Sequence, residues 1–279
     1  MAPRSRYLRL LGRELHVLDW GAADARALIL WHGLARTGRD FDDIAAVLAE
    51  THRVLCPDTI GRGLSEWSPE PNLEYCMGFY VRLAQALLDA LGLARVGWVG
   101  TSMGGALGIA AGAGALAGRI SRLVLNDIGP TLPHATFERI RSYVGAPPDF
   151  ATVTELETYF RDIYRPFGVH TDAQWRRMAE TGMRRLPNGR ITTHYDPRIV
   201  RQLEAHPRDF EQWDAYDALD MPTLVLRGEA SDLLLADAAA EMGRRGPRAE
   251  VVEIAGCGHA PGLNTSAQIE LVRGFLVAT

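Results

Sequence analysis

The chain has 279 residues, of which 47% are hydrophobic and 23% charged, and its formal net charge is −4. This composition is ordinary for a globular protein, and the weak negative charge gives no reason to expect nucleic acid or an anionic membrane as a partner. All 30 basic residues are arginine. The lack of lysine excludes a Schiff base, a P-loop lysine and a Ser–Lys dyad, because each of these needs an ε-amine.

The sequence predicts a cytoplasmic protein. Residues 1–21 contain no apolar run long enough for the hydrophobic region of a signal peptide. No later stretch approaches the roughly 20 apolar residues that span a bilayer. The cysteines Cys56, Cys76 and Cys257 are odd in number and widely spaced, so we expect no disulfide framework. The sequence does not reveal the oligomeric state.

Short apolar runs alternate with helical patterns in the first half of the chain. Residues 7–11 and 15–20 alternate apolar and polar side chains around Gly12 and Arg13, which predicts a hairpin. Four runs are apolar on both faces, as buried parallel strands are: 27–31, 53–56, 96–99 and 123–125. Three intervening segments have apolar residues at helical spacing: 41–50, 73–91 and 103–117. This alternation predicts a parallel sheet covered by helices on both sides.

The alternation stops between residues 130 and 220. This stretch has helical patches at 155–163 and 173–183 and no clear buried strand. The alternation resumes with predicted strands at 222–227 and 250–254, each followed by a predicted helix: 233–245 and 265–277. We therefore predict one α/β core domain, formed by residues 1–129 and 221–279, with residues 130–220 inserted as a helical lid.

The sequence G-T-S-M-G-G at 100–105 stands between a predicted strand and a helix rich in small residues. Such a strand–turn–helix places the serine, Ser102, on a tight bend with its hydroxyl exposed above the sheet. The alternative is a glycine-rich turn that only packs the helix on the strand. A dinucleotide site is a weaker reading, because the glycine spacing G-x-G-x-x-G is missing.

A serine nucleophile needs a histidine base and an acid that orients the histidine. His259 lies in G-C-G-H-A-P, a loop beyond the carboxyl end of the last predicted strand, where open α/β sheets place their sites. Asp127 and Asp232 both follow strands and both keep the chain order Ser, Asp, His. We favour Asp232, because its strand precedes the strand that leads to His259. The alternative interpretation of Asp127 is a carboxylate bonded to backbone amides in a turn.

Acyl transfer also needs hydrogen-bond donors for an oxyanion. The strand at 27–31 runs into His32 and Gly33, and a glycine at this turn permits a close backbone approach. The backbone N–H groups of Leu34 and Met103 are the predicted pair of donors. His32 is interpreted as a structural residue that supports this loop. No pair of histidines or cysteines has metal-ligand spacing, so no metal site is predicted.

Five motifs together resemble the α/β-hydrolase superfamily, in particular its small bacterial esterase-like and lactonase-like members. They are WHGLARTGRDF, CPDTIGRGLSE, VGTSMGG, LVLRGEASDLL and GCGHAP, at 31–41, 56–66, 99–105, 224–234 and 256–261. The resemblance implies a mostly parallel eight-stranded sheet with flanking helices, an inserted helical lid and no cofactor. It implies Ser102 as nucleophile, Asp232 as acid, His259 as base, and Leu34 and Met103 as oxyanion donors.

The departures from the family pattern narrow the range of reactions that the resemblance implies. Ser102 stands where haloalkane dehalogenases and epoxide hydrolases carry aspartate. Thr101 stands where carbon–carbon bond hydrolases usually have asparagine, which disfavours that reaction. Arg62 occupies the usual place of a histidine in the loop at 58–65, which leaves the turn itself plausible.

The sequence therefore predicts a serine hydrolase that cleaves a small to medium acyl ester or a lactone through an acyl-enzyme. Three alternatives remain open: a hydrolase of carbon–carbon bonds, a cofactor-free haloperoxidase or perhydrolase, and a ligand receptor on the same fold. The expected partner is a small-molecule ester. Trp175, Tyr195 and Trp213 of the lid are candidate substrate contacts, although aromatic residues at helical spacing also serve as ordinary packing.

Overall fold

The computed structural model describes residues 2–277, and strands and helices alternate along most of that length. The strands are β1 (Arg4–Leu10), β2 (Arg13–Trp20), β3 (Ala27–Trp31), β4 (Arg53–Pro57), β5 (Val96–Thr101), β6 (Ile120–Asn126), β7 (Asp149–Phe150), β8 (Met183–Arg185), β9 (Ile191–Thr193), β10 (Thr223–Gly228) and β11 (Glu250–Ile254). The helices are α1 (Asp42–Leu48), α2 (Pro71–Glu74), α3 (Met77–Ala90), α4 (Met103–Ala113), α5 (His134–Val144), α6 (Val153–Ile163), α7 (Asp172–Thr181), α8 (Arg201–Ala205), α9 (Trp213–Asp217), α10 (Ala236–Met242) and α11 (Ser266–Val277).

The main sheet has eight strands in the order β1-β2-β4-β3-β5-β6-β10-β11. The first three strands pair in antiparallel fashion, and the pairs from β4 to β11 are parallel. The carboxyl ends of β5, β6, β10 and β11 therefore meet at one edge of the sheet. The predicted fold class, a mostly parallel eight-stranded sheet with flanking helices, is confirmed.

Both faces of the central strands of the sheet are buried, as the apolar runs predict. In β3, Ile29 and Trp31 belong to one hydrophobic cluster, while Leu28 and Leu30 belong to the cluster on the other face. This division follows from the period of two in a strand. The rings of Trp31 and Trp98 stack with their centroids 5.3 Å apart, so β3 and β5 are also tied together by side-chain packing.

Residues 130–220, called the middle segment below, contain helices α5 to α9 and a three-stranded sheet in the order β7-β9-β8. The expectation that this segment lacks a buried strand was wrong, because β9 is buried along its whole length. Strands of two or three residues are too short to produce a recognisable alternation. The domain boundaries at 129/130 and 220/221 stay a prediction.

Close packing of α4 fixes the turn between β5 and α4. A Cβ atom on Gly104 would overlap the carbonyl oxygen of Trp31, and one on Gly100 would overlap the carbonyl oxygen of Gly104. Both obstacles are backbone atoms, which cannot move aside as the end of a side chain can. The glycines around Ser102 are thus required by the distance between α4 and the sheet.

Replacing Gly104 by alanine is expected to destabilise the protein by about 1–3 kcal/mol or more, the usual cost of overpacking. The measurement is the free energy of unfolding in urea. Gly274 in α11 is the matched control, because an added Cβ there meets nothing within 4 Å. Gly274→Ala should stabilise by roughly 0.5–1 kcal/mol through helix propensity. Wild-type stability of Gly104→Ala would contradict the close approach of α4 to β3.

Candidate active site

Ser102 occupies the turn between β5 and α4 with a positive φ of 53° and a ψ of −118°. Such a backbone is uncommon for a residue with a side chain and is typical of strained functional turns. Its N–H donates to the carbonyl of Asn126 at 3.0 Å, and its own carbonyl accepts the N–H groups of Gly105 and Ala106. The turn is therefore held by β6 on one side and by the first turn of α4 on the other.

The imidazole of His259 lies next to the hydroxyl of Ser102. Its Nε2 is 3.0 Å from Oγ of Ser102, which donates the hydrogen bond. The loop that carries His259 is tied to the sheet by Asn126, whose amide donates to the carbonyl of Pro261 at 2.9 Å and to Oγ1 of Thr101 at 3.0 Å. Asn126 thus links the serine turn to the histidine loop, a contact that the sequence reasoning missed.

The carboxylate beside His259 belongs to Asp127, which is fully buried. Its Oδ2 accepts from Nδ1 of His259 at 2.8 Å and from the hydroxyl of Ser231 at 2.6 Å. Its Oδ1 accepts from the N–H of Gly228 at 2.7 Å. A carboxylate on Nδ1 keeps the proton there and leaves Nε2 free to accept the serine proton.

The structure contradicts the prediction that Asp232 orients the histidine. The side chain of Asp232 is 48% exposed and forms a short ion pair with Arg139 of α5. The physical reason is its place along the chain: Asp127 directly follows β6, whereas Asp232 stands four residues beyond Gly228, the end of β10. Those four residues form a turn, in which the N–H of Ser231 donates to the carbonyl of Gly228 at 2.9 Å. The position of Asp127 directly after a strand is the sequence signal that could have identified it as the acid beside His259.

The loop after β3 passes close to Ser102. A Cβ on Gly33 would lie 3.6 Å from Cβ of Ser102. The carbonyl of Gly33 accepts from Nδ1 of His32 at 2.7 Å and from the N–H of Arg36 at 3.2 Å. Since a trans peptide points its N–H opposite to its carbonyl, these two bonds fix the direction of the Leu34 N–H. Met103 opens α4, so its N–H has no acceptor inside the helix.

His32 is a buried, neutral imidazole. The N–H of Thr59 donates to its Nε2 at 2.9 Å, so that nitrogen carries no proton and Nδ1 carries one. Burial lowers the pKa of His32 to about 4, and the nearby Arg62 guanidinium adds to the effect. The side chain has no free nitrogen for acid–base work. This geometry agrees with its interpretation as a support for the loop.

A cavity of about 690 Å³ opens above Ser102 and His259. Its size is typical of small-molecule sites. Aromatic side chains form much of its wall: Phe41, Tyr143, Tyr159, Tyr164 and Phe167. Three ion pairs also line it: Arg36 with Asp40, Arg139 with Asp232, and Arg177 with Asp43.

The three predicted substrate contacts lie outside this cavity. Trp175 is 7% exposed, and its ring stacks on His170 with centroids 4.5 Å apart. Tyr195 is buried near the loop of Arg62, and Trp213 lies under the guanidinium of Arg245. These residues pack the middle segment, and none of the three lines the cavity above Ser102. Aromatic spacing cannot distinguish a residue that faces a cavity from one that faces the core.

Within residues 2–277, no group of three or more histidine, cysteine or acidic side chains is arranged to hold a metal ion. None of the helices in this range is long and apolar enough to cross a membrane.

Comparison with known proteins agrees with this fold. Residues 26–264 match the family model of the alpha/beta hydrolase fold. A relative from Cupriavidus necator, a 3-hydroxybutyrate-oligomer hydrolase, is 39% identical over 92% of this chain and 90% of its own length. The chain belongs to the α/β-hydrolase fold family. An esterase of Mycobacterium tuberculosis is 29% identical to this hydrolase over 96% of the chain and 88% of its own length.

Among solved structures, this hydrolase is similar to an α/β hydrolase from Novosphingobium aromaticivorans. The TM-score is 0.89 at 36% identity, with 99% of each chain covered. An E-2-(acetamidomethylene)succinate hydrolase has a TM-score of 0.87 at 22% identity over 99% of this chain and 100% of its own. At that identity the second likeness shows the fold alone.

The choice between the two aspartates can be tested by labelling Ser102 with a fluorophosphonate. Asp127→Asn should slow labelling by about a thousandfold or more, since an amide in this position holds the wrong histidine tautomer. Asp232→Asn should change the rate by no more than roughly threefold, because it removes only an exposed ion pair. Mass spectrometry of the labelled protein gives both rates. Slow labelling of Asp232→Asn with normal labelling of Asp127→Asn would restore the original assignment.

The buried His32 should make stability depend on pH. Its pKa is about 4 in the folded protein and 6.5 in the unfolded chain. Since the unfolded chain binds the proton more readily, this stability is complete above pH 6.5 and is lost as the pH falls through 4. The full loss is about 3 kcal/mol.

Urea unfolding of wild type and His32→Gln at several pH values measures this effect. The stability advantage of the wild type should shrink between pH 6.5 and 4, the two pKa values. An advantage that stays constant over this range would contradict a neutral, buried His32.

Proposed function

We propose that this hydrolase cleaves a carboxylic ester through an acyl-enzyme on Ser102. The observation that carries the proposal is the unbroken series of hydrogen bonds from Ser102 to His259 to Asp127, at 3.0 and 2.8 Å, at the floor of a cavity. Nucleophile, base and orienting acid stand in the order that acyl transfer requires.

In the first step Oγ of Ser102 attacks the ester carbonyl carbon while its proton passes to Nε2 of His259. The carbonyl oxygen becomes an oxyanion, for which the N–H groups of Leu34 and Met103 are the donors. Asp127 stabilises the imidazolium. The carbon–oxygen bond to the alcohol then breaks, and the alcohol leaves with the proton from His259.

In the second step water replaces the alcohol. His259 takes a proton from the water as its oxygen attacks the acyl carbon, and the same N–H groups hold the second oxyanion. The acyl–oxygen bond breaks, the acid departs, and Ser102 recovers its proton from His259. The position of Asp127 is unchanged in both steps, because its three hydrogen bonds come from fixed groups.

For the substrate class, we propose short linear oligoesters of 3-hydroxybutyrate. The support is the 39% identity, over 92% of the chain, to the Cupriavidus necator hydrolase whose name gives that substrate. Such oligomers combine apolar methyl branches with one terminal carboxylate. The aromatic side chains of the cavity offer apolar contacts for the methyl branches, and its four arginines are each paired with an aspartate.

The test incubates the wild type and Ser102→Ala with the 3-hydroxybutyrate trimer and follows release of the monomer by chromatography. The wild type should release monomer, and the variant should lose at least about a thousandfold of the rate. A parallel series of p-nitrophenyl esters from acetate to octanoate separates the two parts of the proposal. Turnover of these esters without turnover of the trimer would reject the substrate class alone. No turnover of any ester would reject ester hydrolysis.

A further inference from the structure

Arg62 is a fully buried guanidinium whose hydrogen-bond acceptors are all uncharged. Its Nε donates to the carbonyl of Leu34 at 2.8 Å. One terminal nitrogen donates to the carbonyl of Ile60 at 2.9 Å and to the hydroxyl of Tyr80 at 2.7 Å. The other lies 3.6 Å from the sulfur of Met103. The guanidinium thus reaches both residues whose N–H groups are assigned to the oxyanion.

Burial of a cation without a carboxylate partner is costly. The rings of Tyr75 and Tyr80, with centroids 5.6 and 5.4 Å from the guanidinium carbon, offset part of the cost. The four polar contacts engage four of the five N–H donors, and none of their acceptors carries a charge. A charge retained at such cost beside a reaction centre is a candidate for a functional role.

We propose that Arg62 is a positioning residue of the oxyanion site, an inference that rests on the proposed function. His32 fixes the peptide before Leu34 through the carbonyl of Gly33, and Arg62 fixes the peptide after it through the carbonyl of Leu34. Both peptide planes that flank the Leu34 nitrogen are therefore constrained. The contact with the sulfur of Met103 joins this loop to the first residue of α4.

The positive charge of Arg62 and its hydrogen bonds both favour formation of the oxyanion. The substrate carbonyl is neutral before attack, and a full negative charge develops on its oxygen in the tetrahedral intermediate. A fixed positive charge in contact with Leu34 and Met103 therefore stabilises the intermediate more than the bound substrate. Loss of Arg62 should accordingly lower kcat and leave KM nearly unchanged.

The test compares wild type with Arg62→Met and Arg62→His. Methionine removes the charge and the fork of donors, and histidine is the residue that the resembling family usually has in this turn. The matched control is Arg53→Met, which removes another buried guanidinium, one that pairs with Asp19 at the amino end of β4, away from the site. Thermal unfolding establishes that each variant is folded at the assay temperature.

Two inhibitors separate oxyanion stabilisation from general damage. A trifluoromethyl ketone forms a hemiketal: Oγ of Ser102 bonds to the ketone carbon, the serine proton moves to His259, and the ketone oxygen becomes an oxyanion. The carboxylic acid product binds without forming this oxyanion. The hemiketal forms whether or not an ester is turned over, so it tests Arg62 even where the proposed function fails.

We expect both Arg62 variants to lose about tenfold to a hundredfold in kcat, somewhat less than direct removal of an oxyanion donor. The inhibition constant of the ketone should rise by the same factor, and that of the acid should stay within about threefold. Arg53→Met should lose stability and keep kcat. A folded Arg62→His with wild-type affinity for the ketone would overturn the proposal, as would an equal loss of affinity for ketone and acid.

Discussion

The carboxylate of Asp127 joins the separate parts of the site. It stands at the end of β6 and accepts hydrogen bonds from the end of β10, from Ser231 in the loop beyond β10, and from His259 in the loop beyond β11. A buried carboxylate needs such donors, because an unpaired charge in the interior is strongly unfavourable. The requirement to satisfy one acid therefore fixes three chain segments relative to Ser102, and the arrangement of Ser102, His259 and Asp127 follows from that constraint.

The sequence predicted those parts of the fold whose signal is local. A buried parallel strand shows itself as an apolar run, and the turn of Ser102 shows itself because only small residues permit the contact of α4 with Trp31. Ser102 and His259 could be named for the same reason, since each stands in a glycine-containing loop at a strand end. The small sheet of the middle segment was missed because its strands are shorter than one recognisable alternation.

The features that could not be predicted from the sequence depend on the direction in which a side chain points. Asp127 and Asp232 both follow strands, and the difference between them is how far the chain has turned before the side chain projects. The wall of the cavity raises the same difficulty, since Tyr159 faces it and Trp175 packs against His170 within the same segment. Periodicity states which face of a helix is apolar and leaves open what covers that face.

His32 and Arg62, the two side chains that support the loop of Leu34, differ in charge. The N–H of Thr59 donates to Nε2 of His32. A proton on that nitrogen would place two N–H donors face to face with no acceptor between them. His32 therefore holds the Gly33 peptide as a neutral group, with its pKa lowered to about 4. Arg62, by contrast, supports the loop with the fork of donors of a guanidinium. In the proposed mechanism proton transfer is left to His259, the one imidazole within hydrogen-bond distance of Ser102 among the described residues.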